Sequence, residues 1–337
     1  MKYLHYFEDT TSFENEYDGE NYIQPWVSYN KQQEDVDYDA FSQEQISLMS
    51  MPLTLEILEA GHLGVKFNNP EPYSVLSGSY RINGGEWKSY SASYYASGFS
   101  VNTGDVVEFT GWPNVWYNDT YYYSYFWSDC KFNVKGNIMS LLGRESSTFT
   151  WLGIDGSFMW TIMNNPNFSC LFKDSNVVDA SKLILPRYKK CVNFESMFKN
   201  CTSLIAAPSL PATTLNNSCY KSMFEGCVSL TIAPELPATT LSDYCYMDMF
   251  KNCTSLLTAP ELPAINLPTN GPYKEMFYNC NNINLIKAYF TNWEYGDQAQ
   301  NWLYGTSSTG TFIKNSNATW PEASVIPSGW TVETITV

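Results

Sequence analysis

Apolar and polar positions recur with one long period through the second half of the chain. The segments SMFKNCTSLIAAPSLPATTL (196–215), SMFEGCVSLTIAPELPATTL (222–241) and DMFKNCTSLLTAPELPAINL (248–267) superpose, with Cys201, Cys227 and Cys253 spaced 26 residues apart. A fourth copy, EMFYNCNNINLIKA (275–288), places Cys280 27 residues on. A degenerate first copy has Leu171-Phe172 in the Met-Phe place, Ser175 for the cysteine and Val178 for the leucine. A single unit of this size cannot bury its own apolar side, so neighbours must stack, and about five turns of a solenoid are expected.

Within one unit, Cys219, Tyr220, Met223, Phe224 and Cys227 fall at i, i+1, i+4, i+5 and i+8, a stripe that predicts a short helix with one buried face. After the cysteine, Ser229-Leu230 begins an extended piece that Pro234 and Pro237 must end or confine to an edge. Each turn is then expected to run helix, short strand, loop. Stacking puts Met197, Met223, Met249 and Met276 in one internal row, continued from Leu171, and Phe198, Phe224, Phe250 and Phe277 in another, continued from Phe172. These residues are the expected repeat core.

Upstream the period shortens to two. PLTLEIL (52–58), SYRI-NGG-EWKSY (79–90), VVEF (106–109) and KFNV (131–134) read as strands. Asn83-Gly84 between two of them signals a hairpin, since both central positions of a type I′ turn take positive φ. A small β-sandwich fits these segments, with Gly136 to Leu141 as a hinge toward the repeats and the two halves expected to melt separately. Before the sandwich, YIQPWVSYNKQQEDVDYD (22–39) holds two short alternating stretches around a polar turn.

Charge sets this last region apart. Of a formal net charge of −15, the first 48 residues contribute eleven acidic side chains against two lysines. That excess argues against a nucleic-acid partner, which requires a basic surface. No apolar run is long enough to span a membrane, and the N-terminus turns acidic where an export signal would continue apolar. An acidic, aromatic arm suits an anchor that orders on a partner, with Pro25, Trp26, Tyr29 and Tyr38 as candidate anchoring residues.

Candidate chemistry is sparse. With only His5 and His62, histidine-based zinc sites and Ser-His-Asp triads have little to draw on, and no convincing acid pair supports glycoside cleavage. The expectation is no enzyme, no cofactor and no metal. Asp35, Asp37 and Asp39 mimic the start of a calcium loop, but Ala40 and Ile46 stand where such a loop takes glycine and glutamate. Nine cysteines, an odd number set by the repeat, read as reduced and buried rather than as a disulfide framework. The densest aromatic stretch includes Trp112, Trp116, Tyr117, Tyr121 and Tyr123, which could fill a core, form a subunit contact or stack on sugar rings.

The repeat consensus, MFxxCxSL followed by APxLPATTL, resembles the BspA-like or Treponema-type leucine-rich repeats of bacterial surface proteins over roughly residues 165–288. The tail, WLYGTSSTGTFIKN (302–315) with IPSGWTV (326–332), is similar to segments that close such arrays in Bacteroides-type proteins and prophage genes. The β-rich string from Tyr80 to Leu142 and the PWVSY segment likewise resemble parts of phage and prophage proteins of that bacterial group, including crAss-like phage fibres. The resemblance implies a mainly β fold with α/β repeats. Its expected parts are an acidic arm (1–49), a β-sandwich (50–137), a linker and N-terminal cap (138–164), a leucine-rich-repeat solenoid (165–288) and a C-terminal cap (289–337). It implies binding and display without a catalytic residue. The expected role is a homo-oligomeric phage structural protein, a head fibre or decoration protein at the virion surface assembled in the host cytoplasm. The arm would meet capsid or other virion proteins, and the repeats a host surface protein or glycan. A bacterial adhesin or a tail fibre is the alternative, and the missing export signal separates adhesin from virion component.

Overall fold

A computed structural model describes residues 44, 47–48, 51–67, 77–91, 98–110, 115–117, 120–122, 124–142, 168–185, 193–293, 297–320 and 326–336. The arm residues Pro25, Trp26, Tyr29 and Tyr38 and the Asp35–Asp39 cluster lie outside them, as does most of the 138–164 segment. The described chain is mainly β, with several sheets and almost no helix.

The first half forms β1 (Leu53–Ile57), β2 (Gly61–Phe67), β3 (Ser77–Ile82), β4 (Lys88–Ser91), β5 (Phe99–Val101), β6 (Val106–Thr110), β7 (Val115–Tyr117), β8 (Thr120–Tyr122), β9 (Ser124–Ser128) and β10 (Phe132–Asn137). The second half adds β11 (Lys182–Ile184), β12 (Leu285–Ala288), β13 (Gly310–Asn315) and β14 (Trp330–Ile335). One six-stranded sheet runs β11-β10-β1-β6-β3-β4 and a three-stranded sheet runs β5-β2-β9. Period-two burial explains their contact: Val107 and Phe109 of β6, and Leu63 and Val65 of β2, are all buried, and the Phe109 ring meets Phe126 of β9 edge-on at 4.8 Å. At the β3–β4 corner Asn83 and Gly84 both adopt positive φ, and Gly85 N–H returns to the Ile82 carbonyl, closing the turn.

The repeats are not helical. Ser218, Ser222 and Gly226 sit at positive φ, every fourth residue, and so do Tyr244, Asp248 and Asn252 in the next copy. An α-helix cannot pass through a left-handed residue at each turn. The backbone instead alternates. Lys221, Met223, Glu225 and Cys227 donate their N–H groups to the carbonyl three residues back, while Tyr220, Ser222, Phe224 and Gly226 donate to Cys245, Met247, Met249 and Lys251 of the following copy. Half the donors that a helix would use internally thus tie neighbouring copies together. The expected helix, and with it the α part of the expected α/β repeat, is replaced by a staircase of tight turns.

The copies stack in register. Phe172, Phe198, Phe224, Phe250 and Phe277 form one column of near-parallel rings, with centroids 5.4–5.6 Å apart between neighbours. Leu171, Met197, Met223, Met249 and Met276 are fully buried beside them. A second ring column, Phe168, Phe194, Tyr220, Tyr246 and Tyr273, runs alongside at 5.9–6.1 Å.

The stack begins inside the first half of the chain. Phe126 lies 5.2 Å above Phe172, and its N–H goes to the Leu171 carbonyl, just as the N–H of Phe172 goes to Met197. Strand β10 pairs in parallel with β11, and Phe132 bridges Val177. Strands β9 and β10 therefore cover the first turn, and one hydrophobic core runs from Leu53 to Trp330. The stretch from Gly136 to Leu141 is no hinge: Asn137, Ile138, Ser140 and Leu141 are buried, and Ser140 Oγ accepts from Leu53 N–H at 2.7 Å.

The far end also departs from a simple cap. β12 and β13 pair in parallel with Leu285 opposite Thr311 and Ile286 opposite Phe312, an offset of 26 residues. The same offset carries Glu275 to Asn301 and Asn279 to Gly305, all at positive φ. Phe277 N–H donates to Trp302, and Thr306 Oγ1, in the cysteine place, donates to the Leu303 carbonyl. Residues 297–315 are a further, degenerate turn, and β14 pairs in parallel beyond it. Trp302, Phe290, Phe312 and Trp320 close the interior there.

Candidate binding surface

A chain whose interior is filled by rows of identical side chains presents its variation outside. After each buried leucine (Leu204, Leu230, Leu256) the backbone extends past the neighbouring copy, with Asp179 bridging Ala206, and Ile232 bridging Thr258, in parallel. The N–H of Ile205 goes to Val178 and that of Leu257 to Thr231. Here Ile205, Ile232, Leu257 and Leu285 are 54%, 64%, 58% and 42% exposed, half of the eight large apolar side chains that are exposed among the described residues. They lie on consecutive turns, Ile205 and Leu257 four residues after the repeat cysteine and Ile232 and Leu285 five. Glu235 and Glu261, three to four residues further along their turns, are exposed and acidic.

Charged side chains between Glu195 and Glu275 pair in register along the turns. Lys199 meets Glu225 at 2.7 Å, Lys221 meets Glu195 at 3.1 Å, and Lys251 meets Glu275 at 2.5 Å and Asp248 at 3.2 Å. The Lys251 ammonium also lies 5.3 Å from the Tyr278 ring, which stacks on Tyr304 at 4.9 Å. Burial pushes the Asp248 carboxyl above its ordinary range, with Lys251 opposing. The pairs Lys199–Glu225, Lys221–Glu195 and Lys251–Glu275 tie turn to turn.

The eight described cysteines are unbridged and buried. Their row has more chemistry than a small hydrophobe needs. Cys201, Cys227, Cys253 and Cys280 donate to the carbonyls of Phe172, Phe198, Phe224 and Phe250 at 2.9–3.1 Å, each reaching the preceding turn. Burial pushes the thiols of Cys201 and Cys280 up to about 12, so they stay protonated donors and poor nucleophiles.

Among the described residues no group of histidine, cysteine or carboxylate side chains could hold a metal ion, and no helix is long and apolar enough to cross a membrane. Of the aromatic run, Trp116, Tyr117 and Tyr121 lie on the β7–β8 hairpin, with Trp116 opposite Tyr121; Trp112 and Tyr123 fall outside the described residues.

No family model, curated protein or solved structure matches this chain. Its reading rests on the residues themselves. The exposed row was visible in the sequence only as positions that vary between copies. The ladder of polar residues at positive φ, Asp174, Asn200, Gly226, Asn252, Asn279 and Gly305, was missed there, although its period and its Asn/Asp/Gly composition are the signal that would have found it.

Proposed function

We propose that this chain is a non-enzymatic phage structural protein, a head fibre or decoration protein. In this reading a BspA-like leucine-rich-repeat solenoid is displayed at the virion surface to bind a host surface protein or glycan. The observation that carries the reading is the set Ile205, Ile232, Leu257 and Leu285, exposed on consecutive turns, at two adjacent repeat positions, of a column whose interior is packed. The backbone of these residues ties neighbouring turns, but their side chains are exposed and add nothing to the buried stack, and a rigid scaffold presenting variable side chains suits recognition. The thiols of Cys201, Cys227, Cys253 and Cys280 support assembly in a reducing compartment, since each sits in an apolar interior bonded to a carbonyl of the preceding turn. The acidic arm would dock on capsid or other virion proteins through Pro25, Trp26, Tyr29 and Tyr38, leaving the repeats outward.

Mass spectrometry of particles purified from lysed cultures of the bacterium carrying the gene tests this. The chain should co-purify with the particles, and a truncation beginning near Ser50 should stay soluble but no longer incorporate. Recovery in the cell-envelope fraction, with none on particles, would favour the bacterial adhesin instead.

A further inference from the structure

Among the described residues, one row of backbone groups on β14 has no partner. β14 is the outermost strand of the β12-β13-β14 sheet. Ser316 N–H donates to the Ile335 carbonyl at 2.8 Å, so Ile335, and by alternation Glu333 and Thr331, aim their backbone groups at β13. Those of Val332, Thr334 and Thr336 point the other way, and no described residue takes them.

Edges that stay single are usually blunted by lysine, proline, a bulge or brevity. Two other outer strands conform, β4 with four residues beginning at Lys88 and β5 with three, and outer β9 is covered by the repeats through Phe126 N–H to Leu171. β14 has six, Trp-Thr-Val-Glu-Thr-Ile, rich in β-branched side chains and free of lysine and proline. Its side chains from Glu333 to Ile335 are exposed.

We infer that β14 is a self-association edge, at which two copies of the chain pair their β14 strands antiparallel about a two-fold axis. Only an extended backbone matches such a row of donors and acceptors. A two-fold pairing satisfies the bare edge of both chains at once and closes the assembly. Charge selects the register. Centring on Glu333 would oppose two carboxylates, which is unfavourable in a cross-strand pair. Centring on Val332 would pair Thr334 with Trp330, whose N–H already goes to Pro327. Centring on Thr334 sets Thr334 opposite itself and Val332 opposite Thr336, each pair exchanging both of its outward backbone bonds, and places Glu333 opposite Ile335. This surface lies at the end of the stack, away from the aromatic hairpin β7–β8, and the inference holds whether or not the virion reading does.

Sedimentation of the full chain from about 1 µM to about 1 mM should show the mass rising from one chain to two. Thr334→Cys should form an intermolecular disulfide under mild oxidant, because hydrogen-bonded antiparallel partners lie about 5.5 Å apart at Cα, within bridging range. Glu333→Cys, treated alike, should cross-link at least tenfold less. Thr334→Pro, which deletes an outward N–H, should remain a single chain with an unchanged circular dichroism spectrum. A wild-type chain that stays monomeric throughout, or equal cross-linking by the two cysteine variants, overturns the inference. Should Thr334→Pro misfold, the cross-linking contrast still decides.

Discussion

Cys227 donates its thiol proton to the carbonyl of Phe198 at 3.1 Å, across a full turn of the stack. That carbonyl also accepts the Cys201 N–H at 3.0 Å, so the thiol adds a second bond to it, worth about 0.5–1.5 kcal/mol net. In the degenerate first copy Ser175, in the cysteine place, turns its Oγ to the Phe172 carbonyl of its own turn at 2.6 Å, and Cys201 donates to the same oxygen at 2.9 Å. Cys227→Ala should therefore destabilise the protein by about 0.5–1.5 kcal/mol from the lost bond, with the unfilled volume of the sulfur in addition, and Cys227→Ser by less, because a hydroxyl can bond the Phe198 or the Phe224 carbonyl. Urea melts of the two variants check this, and equal losses would reduce the thiol to a space-filler.

The same row sets an alkaline limit. Burial raises the thiols of Cys201 and Cys280 from an ordinary 9.0 to about 12. Below pH 9 both folded and unfolded thiols are protonated, and the shift has no consequence. Above it the unfolded chain releases protons that the folded chain keeps, so stability should fall from about pH 9 to about pH 12. Chemical denaturation at rising pH should show this slope, and Cys201→Ser, which does not titrate there, should lessen it by the share of one thiol, Cys227, Cys253 and Cys280 being raised as well.

Gly226 occupies the ladder position that Asp174, Asn200, Asn252 and Asn279 fill in other copies, at φ 76°. Asn200 Nδ2 donates to Asp174 at 2.8 Å, and Asn279 Nδ2 to Asn252 Oδ1 at 3.0 Å. A Cβ on Gly226 would approach Asn200 Oδ1 to 2.4 Å, the mobile end of a side chain that can move aside. Gly226→Asn should be tolerated, since asparagine adopts this conformation. Gly226→Val should cost about 1–2 kcal/mol or more from the left-handed backbone. Thermal melts that rank valine at or above asparagine would contradict the ladder.

The rows of Met and Phe were legible because identical residues at a fixed spacing can bury themselves only by stacking, and the Asn83-Gly84 turn was legible from local backbone preference. The turn staircase was not. Cys219, Tyr220, Met223, Phe224 and Cys227 satisfy both a helix and a strict four-residue repeat, and the deciding residues, Ser218 and Ser222, tolerate many conformations. The join between the halves was equally hidden, since Phe126 lies 46 residues before Phe172 in a stretch with no repeat motif. The turn at 297–315 keeps the backbone register but has exchanged Met-Phe for Trp302-Leu303 and cysteine for Thr306, so its consensus had vanished.

Exposed apolar residues that recognise a partner should be replaceable at little cost to the fold. Ile232→Asp and Leu257→Asp should each change stability by less than about 1 kcal/mol, while a charge on the proposed contact row should sharply reduce attachment of the purified protein to host cells. Flow cytometry with fluorescently labelled protein reads this. Undiminished attachment of the double variant would move recognition to another surface.

The Phe224 ring lies between Phe198 and Phe250, 5.6 Å from each, at interplanar angles of 6° and 7°, and is fully buried. Truncating such a ring costs about 3–5 kcal/mol through lost transfer energy and an unfilled cavity. In a stack the loss falls on both neighbouring interfaces as well. Had the halves been joined by a hinge, the β-rich first half would keep its own melting temperature in Phe224→Ala. Instead the ring column continues through Phe172 to Phe126, and from there to Phe109 in the six-stranded sheet. The strand pair β10–β11 crosses the same junction. Phe224→Ala should therefore lower one common transition, in which near-ultraviolet signals from the first half and the repeats are lost together. Calorimetry that resolves a first-half transition unmoved by the substitution would show that the shared core does not couple the two.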